Sequence, residues 1–359
     1  MTLALRLAEQ GLYSTQPNPR VGCVIVKNSQ IIGRGAHLKA GEPHAEVFAL
    51  REAGVDAKEA DVYVTLEPCN HYGRTPPCVD ALIAAGVKRV VVAMQDPNPL
   101  VAGHGLKHLF AHSIQVETGL MEKEAQAINL GFISRMTRGL PYVRSKIAAS
   151  LDGKTALKNG KSLWITGEPA RLDVQHWRAQ SCAIITGIGT VLADNPSMTV
   201  RLDHLTHTTR QALRVIVDSN LQTPVDCTML DPVMLKTSPV LIAYANDAYN
   251  KAAALTGAGA ELLCVSNENS RVNLPAVLAN LAQRGINEVL LEAGQHLNGA
   301  FLQANLIDEF ILYYAPKLMG GDAKAMFAMP EFTEMDQAID MQIFDVRQVG
   351  MDIRVRAKL

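Results

Sequence analysis

Short runs of β-branched and aliphatic residues recur along this chain with helix-length stretches between them, and that rhythm limits the fold more than any other feature. In the first 130 residues the runs are VGCVIV (21–26), IIGRGAH (31–37), DVYVTLE (61–67), KRVVVAM (88–94) and IQVET (114–118). A short amphipathic helix opens the chain, and helical patterns lie near 43–54, 76–86 and 105–112. Strands alternating with helices of this length form an α/β sheet with helices on its faces. A helical stretch from Met121 to Arg138 then meets RGLP (138–141), where Gly139 and Pro141 stop it. The rhythm restarts with YVRSKIAAS (142–150), CAIITG (182–187), LRVIVDS (213–219), VLIAYA (240–245), ELLCV (261–265), EVLLEAG (288–294) and DEFILYYAPKLM (308–319). Helical patterns fall near 168–180, 274–284 and 297–306, and QIFDVRQVGMDIRVRAKL reads as a closing hairpin. Two α/β domains are therefore expected, 1–140 and 141–359, and each is long enough to bury its own core.

Apolar residues make up 48% and charged residues 19% of the 359, with no apolar run of membrane-spanning length. The formal net charge of −1 argues against a nucleic-acid surface, which carries a basic excess. The opening segment is broken by Arg6 and Glu9 and has no basic leader. A cytoplasmic protein is expected, in a compartment where disulfides are rare. A homo-oligomer is compatible with this composition. Cys23, Cys182, Cys227 and Cys264 mostly lie in or beside apolar runs and read as core thiols.

The remaining cysteines, Cys69 and Cys78, stand in TLEPCNHYGRTPPC (65–78). They could close a loop as a disulfide, form half of a structural zinc site, or belong to a catalytic metal site. Upstream, PHAE supplies Pro43, His44 and Glu46. Proline suits a first helical turn, so His44 and Cys78 would both stand at helix starts whose positive dipole ends favour thiolates. One His and two Cys are three of the four ligands of tetrahedral Zn²⁺, and a catalytic site keeps the fourth place for water. Zinc lowers the pKa of that water from about 15.7 to about 7, and Glu46 could pass protons without being a ligand. The order H-x-E followed by P-C is that of zinc nucleobase deaminases, with eight residues instead of two between the cysteines. The alternative closes a structural Cys₂His₂ site with His71, which would leave Glu46 without a task. His37 and His71 each fit a structural role or a substrate contact.

In the second half TGIGTVLAD (186–194) has Leu192 where a dinucleotide fingerprint needs glycine, so it is not that motif. EVLLEAGQHLNGAF (288–301) runs an apolar strand through Gly294 into a helix whose free N–H groups could hold a phosphate, or whose glycine could serve the turn alone. Arg178 and Arg201 are phosphate candidates or solvated charges.

QPNPRVGCVIV (16–26), HAEVFAL (44–50), TLEPCNHYGRTPPC and DPNPLVAGHG (96–105), followed by SKIAASLDGK (145–154), WITG (164–167), RAQSCAIITGIGTVLADNPSMTVR (178–201), VDSNLQTP (217–224) and LEAGQHLNGAFL (291–302), span essentially the whole chain. Together they resemble the bifunctional deaminase/reductase of riboflavin biosynthesis. The resemblance implies a cytidine-deaminase-like three-layer α/β domain followed by a dihydrofolate-reductase-like α/β domain. It implies Zn²⁺ held by His44, Cys69 and Cys78, with Glu46 catalytic. It implies NADPH contacts at Ala148, Trp164, Thr190, Asp194, Ser219 and the turn Gly294, Gln295, His296, Leu297, Asn298, Gly299 and Ala300. A phosphorylated pyrimidine would meet Ser162, Arg178, Met198, Arg201 and Glu292, with Lys146 and Asp152 close to the reacting sugar. Met198 stands where the family has Leu, and His104 where it has Lys or Arg.

Overall fold

A computed structural model describes residues 1–72, 76–99, 101–202 and 210–359. The motif positions 73–75 and Leu100 lie outside the described residues. The chain divides into two compact units, Met1–Leu140 and Pro141–Leu359.

The first unit runs α1 (Thr2–Glu9), β1 (Gly22–Lys27), β2 (Gln30–Ala36), α2 (Ala45–Ala53), β3 (Asp61–Val64), α3 (Cys78–Ala85), β4 (Arg89–Val92), α4 (His104–Ala111), β5 (Gln115–Thr118), α5 (Glu122–Ile128) and α6 (Leu130–Arg138). Its sheet has the order β2-β1-β3-β4-β5, antiparallel across β2, β1 and β3 and parallel from β3 to β5. Val62, Val64, Val90 and Val92 are buried in the centre, against Ala45, Ala49, Val79 and Leu82 of the covering helices. Two glycines set how close α2 lies on β2. A Cβ at Gly33 would stand 2.2 Å from the carbonyl oxygen of Ala49, and one at Gly35 would stand 1.9 Å from that of Ala45. Only glycine allows so near an approach.

The helix expected over 121–138 is two helices. Asn129 interrupts it: its side-chain oxygen accepts from the backbone N–H of Arg20 at 2.8 Å, and its amide donates to the Arg20 carbonyl at 2.9 Å. This reciprocal pair ties the break to the PNPRVG segment. α6 ends at Gly139, whose φ of 70° is left-handed.

The second unit runs β6 (Tyr142–Ser150), β7 (Lys154–Ala156), α7 (Glu168–Gln180), β8 (Ala183–Gly187), α8 (Ile188–Asp194), β9 (Leu213–Val217), α9 (Pro232–Leu235), β10 (Val240–Tyr244), α10 (Ala252–Gly257), β11 (Glu261–Cys264), α11 (Leu274–Gln283), β12 (Glu288–Leu291), α12 (Gln295–Gln303), β13 (Glu309–Ala315), β14 (Lys324–Ala325), β15 (Gln342–Val349) and β16 (Asp352–Lys358). Nine strands form one sheet in the order β11-β10-β9-β8-β12-β6-β13-β16-β15. It is parallel from β11 to β13 and antiparallel across β13, β16 and β15, so the tail is the expected hairpin. The central strands are buried on both faces, which is why VLIAY and EVLL are apolar runs rather than alternating ones. No helix among the described residues is long and apolar enough to cross a membrane.

Candidate active sites

In the first unit His44 is the residue just before α2 and Cys78 the first residue of α3, so two helix N-termini converge, and Cys69 arrives on the loop after β3. The His44 Nδ1 lies 3.2 Å from Cys78 Sγ and 3.5 Å from Cys69 Sγ. One donor atom from each residue lies within 4.8 Å of the other two, and no other group of three or more such donors occurs among the described residues. His71 is outside the cluster, so the four-ligand structural alternative has no fourth donor in place. Both cysteines are free thiols, which sets aside the disulfide. The Cys78 thiol hydrogen-bonds Cys69 Sγ, and His44 and the backbone N–H of Cys78, which donates to Cys69 Sγ at 3.3 Å, add to that against the opposing effect of burial, holding the Cys69 thiol down to about 4. Sharing that hydrogen bond with Cys69 pushes the Cys78 thiol up. An imidazole nitrogen and two sulfurs at a common point are a donor set that fits Zn²⁺.

Glu46 lies in the first turn of α2 and is only 3% exposed, with Oε2 lacking a hydrogen-bond partner. Burial and the neighbouring Cys69 raise its carboxyl to about 7. A buried acid with a free oxygen and a near-neutral pKa is equipped to move protons.

These groups open on a cavity of about 530 Å³, also lined by Asn18, His37, His71, Asp96, Asn98 and Phe132. His37 is 2% exposed, and its Nδ1–H donates to the Pro43 carbonyl at 3.2 Å. That leaves Nε2 to accept from the Asn18 amide at 3.1 Å. Burial lowers the His37 pKa, and the neutral ring holds both Asn18 and the turn that delivers His44. The Asp96 carboxyl, raised by burial, accepts from the Asn98 N–H at 2.8 Å.

In the second unit Lys146, Arg178, Met198 and Glu292 meet. Glu292, at the end of β12, accepts from Arg178 Nε at 2.5 Å and Nη2 at 3.0 Å, and Lys146 Nζ lies 3.6 Å away. Burial would raise the Glu292 carboxyl, but Arg178 and Lys146 outweigh it and bring it to about 2. The same burial lowers the Lys146 ammonium, against the pull of Glu292. Arg201 is exposed as a residue, and partial burial of its guanidinium, followed by the Arg178 charge, lowers its pKa. Asp152 is placed differently: its carboxylate accepts from Ser150 Oγ and from the N–H groups of Met319 and Gly320, so it clasps a turn. Those donors hold it near 2, with the Ser150 hydroxyl first among them.

Gly294 is the residue just before α12, which starts at Gln295. A Cβ at Gly294 or Gly189 would meet nothing within 4 Å, so both backbones are open to a ligand, which suits a cofactor phosphate at the start of α12. Thr190 and Asp194 lie on α8, and a Cβ at Gly187 would meet the Leu297 side chain at 3.4 Å, which sets α8 beside α12. Gln295, His296 and Ala300 share α12, and Ala148 lies on β6. Asn298 and Gly299 face inward. Asn298 accepts from Ser145 Oγ at 2.9 Å and donates to the Ala293 carbonyl at 2.7 Å, while a Cβ on Gly299 would strike the Ala328 carbonyl at 2.3 Å. These two shape the turn rather than present groups to solvent. Trp164 is 64% exposed with the Arg171 guanidinium over its ring, and Ser162 lies in the same loop. Ser219 follows β9, and its hydroxyl accepts from the Val272 N–H.

The sequence model of the RibD C-terminal domain matches residues 141–355. The chain belongs to the RibD family. A second model, the cytidine and deoxycytidylate deaminase zinc-binding region, matches residues 1–94. RibD proteins are the bifunctional riboflavin-biosynthesis enzymes that the motifs resemble, with a deaminase unit and a reductase unit on one chain. The riboflavin biosynthesis protein RibD of Escherichia coli strain K12 is 46% identical over 363 aligned residues, covering 98% of this chain and 96% of that protein. A crystal form of Acinetobacter baumannii RibD superposes with a TM-score of 0.91 at 48% identity, over 99% and 97% of the two chains. A Thermotoga maritima diaminohydroxyphosphoribosylaminopyrimidine deaminase/5-amino-6-(5-phosphoribosylamino)uracil reductase does so at 0.87 and 31% identity, over 100% and 97%.

Reading the RibD motifs for metal chemistry misses Glu67. It lies two residues before Cys69, is 3% exposed, and accepts from the N–H groups of Asp96, Gly103 and Gly105. The available signal was a carboxylate directly after the apolar VYVTL, where burial demands partners.

Proposed function

We propose that the N-terminal unit of this RibD protein removes the 2-amino group of 2,5-diamino-6-(5-phosphoribosylamino)pyrimidin-4-one by hydrolysis. The C-terminal unit then reduces the ribose with NADPH to give 5-amino-6-(5-phosphoribitylamino)uracil. The observation that carries the reading is the buried, unpartnered Oε2 of Glu46 beside three converging donor atoms.

His44, Cys69 and Cys78 would hold Zn²⁺, which supplies the Lewis acidity that makes water nucleophilic at neutral pH. Glu46 takes a proton from the attacking water and returns one to the departing ammonia. Its raised pKa suits both transfers, since a strong acid would hold no proton to return. Asn18, kept in place by His37, and Asp96 face the pyrimidine across the cavity.

In the second unit NADPH, when bound, would supply the hydride for C1 of the opened ribose. The chain's task there is placement. The start of α12 with Gly294, Gln295, His296, Leu297 and Ala300, together with Ala148, Trp164, Thr190, Asp194 and Ser219, would hold the cofactor, shaped from behind by Asn298 and Gly299. Ser162, Met198, Arg201, Glu292 and Lys146 would hold the substrate, and Arg178 belongs to the same wall. Asp152 supports the neighbouring turn. Six free thiols suit a reducing cytoplasm.

The test separates the two half-reactions. The protein is incubated with zinc and the diaminopyrimidinone phosphate, with and without NADPH, while ammonia and NADPH are followed independently. Ammonia release without NADPH, and NADPH oxidation only after deamination, are expected. Zinc-independent ammonia release, or NADPH oxidation without the pyrimidine, would overturn the assignment.

A further inference from the structure

Two histidines stand one turn apart at the end of α4: His108 lies within the helix and His112 is the residue that closes it. Residues four apart share a helix face, and here the rings are neighbours, with centroids 4.8 Å apart and planes tilted by 57°. His108 is half-buried and His112 exposed.

The partners of the two rings fix their tautomers. His108 Nδ1 lies 2.6 Å from Asn70 Oδ1, and His112 Nδ1 lies 3.0 Å from the His108 carbonyl oxygen. Both oxygens can only accept, so each neutral ring carries its proton on Nδ1 and its lone pair on Nε2. Asn70 is itself oriented from the other end, because its amide donates to the His104 carbonyl at 3.4 Å and so turns its oxygen to His108.

We propose that His108 and His112 form a binding site for one divalent transition ion that prefers nitrogen, such as Zn²⁺ or Ni²⁺, separate from the cluster of His44, Cys69 and Cys78. The proposal goes beyond the deaminase and reductase readings and depends on neither.

Three physical points support it. Two imidazoles four residues apart on one helix face are the spacing with which a helix chelates Zn²⁺. A ligating histidine ordinarily donates its other ring N–H to a carbonyl or similar acceptor, which fixes the ring and makes the ligating nitrogen more basic. Both rings here have that acceptor. The pair also stands at the C-terminal end of α4, where the helix dipole favours a cation. Zn–N bonds are about 2.0–2.1 Å long, so one ion can bridge rings this close, with water from the exposed side completing its shell. Mg²⁺ and Ca²⁺ prefer oxygen donors and are not expected there. Asn70 stands between Cys69 and His71, so an ion that fixes His108 also steadies the anchor of the loop that brings Cys69 to its cluster.

The test uses the full-length protein, loaded with zinc, dialysed, and titrated calorimetrically at neutral pH with Zn²⁺, Ni²⁺ or Mg²⁺. Wild type should take up one ion beyond the metal it retains, from Zn²⁺ or Ni²⁺ and not from Mg²⁺, and should melt at a higher temperature in its presence. His108→Ala and His112→Ala should each abolish that uptake and the thermal shift. His112→Ala should keep the metal retained on dialysis and deaminate as wild type does. Asn70→Ala should weaken the further ion by about 10–100-fold, as the loss of an outer partner of a ligating histidine does. His104→Ala, one turn earlier, should bind like wild type. The proposal is overturned if wild type takes up no further ion, if His112→Ala binds it with unchanged affinity, or if His104→Ala removes it. An uptake that Cys78→Ser removes and His112→Ala keeps would be late filling of the first cluster, and would overturn it equally.

Discussion

Glu67 and Gly103 join the strand that leads into the cysteine motif to the loop across the cavity: Glu67 Oε2 accepts from the Gly103 N–H at 2.9 Å. Its other oxygen accepts from the N–H of Gly105 at 2.9 Å, in the first turn of α4. A single buried carboxylate thus satisfies backbone donors that the DPNPLVAGHG loop would otherwise leave unmet. Glu67→Gln replaces one acceptor oxygen with an NH₂ that faces N–H groups, and each donor left unsatisfied costs about 1–3 kcal/mol. The variant should keep its zinc, melt at a lower temperature, and lose deamination because Asp96 and Asn98 shift. Metal content, thermal unfolding and ammonia release measure the three effects. Unchanged melting would mean that the loop holds itself.

Gly35→Ala should act on the proposed metal site from the far side of α2. The added methyl would stand 1.9 Å from the Ala45 carbonyl oxygen, in the turn that joins His44 to Glu46. Since the obstacle is backbone, α2 must move away from β2, taking His44 with it. Zinc binding should weaken together with deamination, whereas Glu67→Gln spares the metal. Full zinc content at unchanged affinity in Gly35→Ala would show that α2 can absorb the methyl.

The strand–helix rhythm and the meeting of the His44, Cys69 and Cys78 donors were legible because each leaves a local trace: β-branched runs for buried strands, and Cys, His and Pro at helix starts for the donors. The interruption at Asn129 was not, because a helical period continues through it and its cause is a pairing with Arg20, far away in the chain. Asp152 read as a sugar contact by resemblance, yet its carboxylate is tied to a turn at Met319 and Gly320 that no local pattern announces. Asn298 and Gly299 are buried in the turn expected to hold the cofactor, and the Ser145 and Ala328 partners that surround them lie far off in the chain. Glu67 hid beside two cysteines, since partners reached through the fold cannot be seen in sequence spacing.

Acid should unfold the second unit partly through Glu292. Its folded pKa, about 2, lies below the ordinary 4.5, so the ionised carboxylate stabilises the fold above the unfolded value and that contribution disappears as pH falls through the folded one. The window is therefore about 4.5 down to 2, and the contribution is on the order of 3 kcal/mol. Both tryptophans, Trp164 and Trp177, belong to the second unit, so their fluorescence follows its unfolding. Glu292→Gln should be less stable than wild type at neutral pH, and the gap should close as pH drops below about 4. A gap independent of pH would mean that Arg178 and Lys146 do not hold Glu292 ionised.

The division of labour between ligand and proton carrier at the first site is open to a paired substitution. Glu46→Gln removes the titrating oxygen and none of the three converging donors, so zinc should stay bound while deamination falls by at least about a hundredfold, within the usual range for general acid–base groups. Reduction of substrate already deaminated should be nearly unchanged in this variant, because Glu292, Lys146 and Arg201 lie in the other unit. Cys78→Ser replaces a thiolate with a hydroxyl that hardly ionises and weakens the donor set at the start of α3, so zinc content and deamination should drop together. Metal analysis beside ammonia release distinguishes the cases. Loss of zinc in Glu46→Gln would make Glu46 a ligand or a support of the ligands. Full deamination in that variant would leave the buried, unpartnered oxygen of Glu46 without a chemical task and make the cluster structural.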